Sequence, residues 1–359
     1  MNNLLKTLNK NKIVSLLIAI MLILPMIPLL GVSAAVNDIT YYENGFELPL
    51  YGATGCPVKN VPGIAAGTPF TIFEEQGDTL KVMLQNGTET AIEKRLCMIN
   101  LPDVVPSIIY NITNSYSSVF QVLGQNIRGI TGQSLYQSGT SKKYNPRLGK
   151  DEFLVPILYE TAIKIAAAQK AALADDYSLV IYEAYRPLYA QRKIIAAYSP
   201  IVASRGSAVT GGWSSSWFVA GGKNSHQEGY AIDVSLAKVT DSSTVMLSNP
   251  AYTRVELTTQ ECKMFTLIHE LSYNSRIYTK PITPIYSDTA WKRGTPTVAF
   301  AASESAKRLQ KYMTDTGFTP LASEWWHYND ISARNALGDR TDIRGDWELT
   351  TNMSILPMY

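Results

Sequence analysis

Ser225-His226-Gln227-Glu228-Gly229-Tyr230-Ala231-Ile232-Asp233 and Ser323-Glu324-Trp325-Trp326-His327-Tyr328 are the stretches on which the reading of this chain turns. In the first, Gly229 lets the chain turn after His226 and return as a strand. Ala231 and Asp233 share one face of that strand, because side chains alternate. In the second, Glu324 and His327 lie three apart, on opposite faces of an ideal strand. A bend or bulge is needed before both can reach one point.

The chain has 3 histidines, His226, His269 and His327. Two of them sit among acids in these stretches. A hydrolytic zinc takes three ligands from His, Asp or Glu and keeps a position for water. A nearby carboxylate must take a proton from that water and pass it to the leaving amine. A positive group should meet the oxyanion as it forms. His226, Asp233 and His327 can supply the ligands and Glu324 the base. Arg186, in Tyr182-Glu183-Ala184-Tyr185-Arg186-Pro187, can meet the oxyanion. Taken singly, each has a plainer role in a core, a turn or a surface ion pair; their joint occurrence carries the metal reading. His269, beside Glu270 on an expected helix, reads as structural or as a support to the site.

Outward from these stretches, the spacing predicts helices over Phe153–Leu173, Leu188–Tyr198, Thr259–Leu271 and Ala302–Thr316. In the first of these Pro156 suits the opening turn, where its missing N–H costs little. Ser178–Tyr182 and Tyr230–Leu236 read as strands, and a Ser/Gly/Trp-rich loop spans Ser204–Lys223. Helices and strands mixed without a βαβ rhythm indicate an α+β fold. Residues from Asp38 to Cys97 read as short strands and turns, with Asn86-Gly87 as a hairpin signal. A small β-barrel fits that pattern. Residues after about Ala333 read as a surface tail.

The H-x6-D, E-W-W-H-Y and Y-R-P stretches, in their order along the chain, resemble the D-alanyl-D-alanine dipeptidases of vancomycin resistance. These belong to the wider M15 metallopeptidases, with D,D-carboxypeptidases and peptidoglycan endopeptidases. The similarity covers roughly Met98 to Tyr328, including Ile108–Thr131 and Thr316-Gly317-Phe318. It implies an α+β metallopeptidase domain over 98–332 with one zinc ion (Zn2+). It implies His226, Asp233 and His327 as ligands, Glu324 as general base and Arg186 as transition-state stabiliser. Ser225 matches a substrate-contacting position, and Glu183 stands where the dipeptidases have an Asp. The dipeptidases bind the substrate ammonium with a further carboxylate; here Glu256, Glu261 and Glu270 are the candidates. The implied substrates are D-Ala-D-Ala or peptidoglycan stem peptides. Residues 38–97 loosely resemble the SH3-like modules of wall enzymes, which implies docking to the cell wall. A non-catalytic wall-binding module is the rival reading, and Glu324 argues against it, since binding needs no base.

Lys6, Lys10 and Lys12 precede an apolar run from Ile13 to Val32, followed by Ser33-Ala34-Ala35. This is the pattern of a secretory signal peptide over 1–34. The rival is an uncleaved membrane anchor, for which the run is long enough. Either reading puts the rest of the chain, including a tail at 333–359, outside the cytoplasm, secreted or at the cell wall. The net charge of +2 gives no sign of a nucleic-acid binder. Of 3 cysteines, Cys56 and Cys97 can pair or all can stay free.

Overall fold

The computed structural model describes residues 33–111, 120–127, 143–145, 150–152, 155–248 and 251–347. The expected leader, apart from Ser33 and Ala34, and much of Ile108–Thr131 lie outside them. Among the described residues no helix is long and apolar enough to cross a membrane.

The strands that organise the chain are β1 (Thr54–Pro57), β2 (Phe70–Gln76), β3 (Thr79–Leu84), β4 (Glu89–Glu93), β5 (Cys97–Asn100), β6 (Ile109–Tyr110), β7 (Pro156–Leu158), β8 (Tyr177–Glu183), β9 (Ala231–Ser248), β10 (Ala251–Glu261), β11 (Thr319–Leu321) and β12 (Glu324–Asn329). The main helices are α1 (Tyr159–Ala174), α2 (Leu188–Arg205), α3 (Glu304–Asp315) and α4 (Ile331–Ala336). The fold is α+β, as expected.

The first sheet has the order β7-β5-β1-β2-β3-β4. Its β3–β4 turn falls at Asn86-Gly87, with Gly87 at φ +82°. The sheet is open rather than a closed barrel. The free edge of β5 is taken by β7, which pairs Pro156 with Asn100 and Leu158 with Met98. The sheet therefore runs on into the next part of the chain, and the expected boundary near Cys97 falls inside β5. Phe46, Ile72 and Val82 share one apolar core with Leu179, Ile181 and Trp326. Cys56 lies opposite Met98 and Cys97 opposite Pro57, which puts the two sulfurs on opposite faces of the sheet. All three cysteines are free thiols.

The second sheet has the order β11-β12-β9-β8-β6, with β10 paired along the outer part of β9. Two helix expectations change. Pro156 belongs to β7, and α1 starts only at Tyr159. A proline opening an edge strand gives up no ladder bond. Thr259, Gln260 and Glu261 pair with β9 rather than opening a helix. The chain then runs to Leu271 without regular structure. The tail is also more than surface. Leu337 and Ile343 are buried. The Trp347 ring stacks on Tyr185 with centroids 4.0 Å apart.

Candidate metal centre

Register brings the site together. On β8, Ile181 faces Val234 while Glu183 faces Asp233, so Tyr182 is a bulge. On the other side of β9, Asp233 faces His327 of β12. Glu183, Asp233 and His327 thus form one row across three antiparallel strands. The bulge that Glu324 and His327 require is present. Pro320 faces Tyr328, yet the next residue, Leu321, faces Glu324. Trp325, Trp326 and His327 therefore loop out of the β11–β12 ladder.

His226 arrives from the turn before β9. Gly229 has φ +75°, and a Cβ there would meet Met98 Sδ at 2.5 Å. Leu158 N–H donates to the Gly229 carbonyl at 2.9 Å. The turn is thus held against β5 and β7, and only glycine suits both its conformation and its contact.

Three donor atoms converge. His226 Nε2 lies 3.2 Å from His327 Nδ1. Asp233 Oδ1 lies 3.0 Å from His327 Nδ1 and 3.4 Å from His226 Nε2. Bonds of ~2.0–2.1 Å in a tetrahedral zinc site put ligand atoms about 3.3 Å apart. The triangle therefore fits one small dication. The tautomers agree. His226 Nδ1 donates to the Ala184 carbonyl at 2.7 Å, leaving Nε2 with its lone pair. His327 Nε2 donates to Asn329 Oδ1 at 3.1 Å, leaving Nδ1. Such supporting bonds fix ring orientation and raise ligand basicity. This buried His226–Asp233–His327 group can hold a metal ion.

Burial, aided by the Arg186 charge, pushes the His226 pKa down. Burial alone would raise Asp233, but His226, His269 and His327 hold its carboxyl well below the usual range. Burial lowers His327, and Asp233 and Glu324 more than reverse this. Glu324 is pushed up to about 8, first by burial, with Asp233 and Glu183 adding to the rise. A dication on the three donors favours its ionised form. Its Oε2 is 3.8 Å from His327 Nδ1.

Arg186 caps the other side. Its Nη2 donates to Glu183 Oε2 at 2.5 Å and to Asp233 Oδ2 at 3.1 Å. Its Nη1 donates to Gln191 Oε1 at 2.8 Å. Its buried Nε has no partner among the described residues. Arg186, Ser225, Glu324 and the three donors all line one cleft of about 90 Å³, room for several waters or a small ligand. Trp217, Ile285 and Tyr286 line the same cleft.

Glu183 is the exception among the expected site residues. It is fully buried, does not line the cleft and anchors Arg186 from behind. The ammonium candidates are engaged elsewhere. Glu270 accepts from the backbone of Leu123 and Gly124, Glu261 accepts from Tyr182 Oη, and Glu256 pairs with Arg254. One contributor escaped sequence reasoning, and another was read only as structural or as a support to the site. Asn329 lies two residues beyond His327 on the same strand face, a signal that alternation could have found. His269, read as structural or as a support on an expected helix, touches Asp233 Oδ2 at 3.1 Å, and it does so from an irregular loop rather than a helix. No protein-family model matches the chain, and no curated protein matches it.

Proposed function

We propose that this protein is an exported zinc peptidase that hydrolyses D-Ala-D-Ala or related D-amino-acid peptides of the bacterial cell wall. The observation that carries the metal part is the triangle of three buried donors with tautomers set for a cation. The substrate class rests on the resemblance of the motifs to the M15 dipeptidases and carboxypeptidases. The α+β class is compatible with that group. In the same reading, residues 38–97 act as a wall-docking module of SH3-like kind.

His226 Nε2, Asp233 Oδ1 and His327 Nδ1 would hold the zinc. Bound there, zinc lowers the pKa of water toward neutrality and polarises the carbonyl under attack. Glu324, which lines the same cleft as Arg186, would take the proton released by the attacking water and deliver it to the leaving amine. Arg186, which lines the cleft, is the cation that would meet the developing oxyanion. Ser225 lines the cleft, and by the resemblance it would contact the substrate.

One observation favours substrates longer than the free dipeptide. Among the described residues, the acids that line the cleft are Asp233 and Glu324, both already assigned. A substrate ammonium would find neither Glu256, Glu261 nor Glu270 there. An N-acylated stem peptide needs no such partner, which favours carboxypeptidase or endopeptidase action. The test is amine release from D-Ala-D-Ala and from an N-acylated stem pentapeptide, with zinc and with chelator. The expected result is zinc-dependent cleavage of the pentapeptide, lost in Glu324→Gln with zinc binding retained. Cleavage of the dipeptide alone would overturn the length preference. Zinc uptake with no cleavage of either would leave a binding module.

A further inference from the structure

His269 has no place in the proposed chemistry, yet it is built into the site at a cost. It is fully buried and stands at φ +58°, a backbone conformation that residues with a side chain rarely adopt. Such strain persists where the surroundings over-determine it. They do so here. The His269 ring stacks on Phe120 at 4.8 Å and meets Tyr182 and Trp326 edge-on. Its carbonyl accepts from Gln121 N–H at 2.9 Å. The adjacent Glu270 gathers the backbone N–H groups of Leu123 and Gly124.

All this holds His269 Nε2 3.1 Å from Asp233 Oδ2. Oδ2 also accepts from Arg186 Nη2 at 3.1 Å. With two donors on Oδ2, the other oxygen, Oδ1, is the one turned to His226 and His327. We infer that His269 is a positioning residue for the metal centre: its Nε2–H ties down Asp233 Oδ2, so that Asp233 binds through Oδ1 alone and the fourth position stays open. Arg186 Nη2 spends one N–H on Glu183 Oε2 and the other on Asp233 Oδ2, so His269 is the second, independent donor to that oxygen. The inference rests on the metal reading above.

Two substitutions separate the hydrogen bond from the packing. His269→Phe keeps a ring against Phe120 and loses the donor; His269→Gln keeps a donor and loses the ring. Zinc affinity is measured by competition with a chromophoric chelator, and coordination number by the visible absorption of the Co2+ form. His269→Phe is expected to weaken zinc binding about 10–100-fold and to dim the Co2+ bands as Asp233 turns bidentate. His269→Gln should return most of the affinity while losing thermal stability. Wild-type affinity in His269→Phe, or equal weakening in both variants, would overturn the inference. If neither variant folds, ¹⁵N-histidine spectra of the wild-type chain decide, since there are only 3 histidines to assign. The inference requires an Nε2–H on His269 whose signal shifts when zinc is added; an Nε2 without a proton, or an unmoved signal, would sink it. Wild-type protein that takes up no zinc would instead defeat the metal reading itself.

Discussion

Replacing Gly229 by alanine tests how the fold delivers His226 to the site. Two costs add. An L-residue in the left-handed region costs roughly 1–2 kcal/mol. The new Cβ would also lie 2.5 Å from Met98 Sδ and 3.2 Å from Met98 Cγ. Met98 is fully buried on β5, so it can yield only by disturbing its packing. Overpacking of this kind costs about 1–3 kcal/mol. The sum, about 2–5 kcal/mol, is measured by urea unfolding of the zinc-free chain. Adding Met98→Ala to Gly229→Ala relieves the contact and leaves the backbone strain. The double variant should therefore be less destabilised than the two single changes added together, a coupling of about 1–2 kcal/mol. Zinc affinity should fall in Gly229→Ala, since His226 rides on the displaced turn. A Gly229→Ala chain as stable as wild type, or strict additivity with Met98→Ala, would refute the reasoning.

Glu47 carries a pH prediction away from the metal. Burial pushes its carboxyl up from 4.5 to about 7, against the Ser107 hydrogen bonds that lower it. Between those values the folded state holds a proton that the unfolded state has lost, so stability falls as pH rises through the window and levels off above it. The loss is about 3 kcal/mol, and a wild-type minus Glu47→Gln comparison of unfolding at pH 4.5 and 7.5 should reveal it; a flat difference contradicts it. Asn329→Leu removes the acceptor for His327 Nε2 and should weaken zinc binding about tenfold or more, measured by chelator competition. Trp347→Ala uncovers Tyr185 and should cost about 2–4 kcal/mol in denaturant unfolding, although Trp347 lies far from the cleft in sequence.

The site was largely legible because its chemistry is concentrated in local runs. Gly229 marked the turn, and the spacing of Glu324 and His327 demanded a bulge, which the β11–β12 register contains. What the residues did not reveal depends on partners far along the chain. Leu158 and Met98 meet only because β7 joins β5, and no local pattern encodes that pairing. Thr259 to Glu261 open the stretch with helical spacing, but their pairing with Val239, Lys238 and Ala237 of β9 outweighs it. His269 reaches Asp233 from a loop, where side-chain periodicity says nothing. The tail looked polar because its few apolar residues, Leu337, Ile343 and Trp347, are widely spaced; Leu337 and Ile343 are nonetheless buried in the core around Tyr185, and Trp347 is packed against it, partly buried.

The central claim is that His226, Asp233 and His327 hold one zinc ion on which hydrolysis depends. The most direct test is to titrate zinc into the chelator-stripped chain while following amine release from the acylated stem pentapeptide. Activity should climb linearly to one equivalent of zinc and then stay flat, with no rise in His327→Ala. Zinc uptake unchanged in His327→Ala, or hydrolysis that persists without zinc, would contradict it.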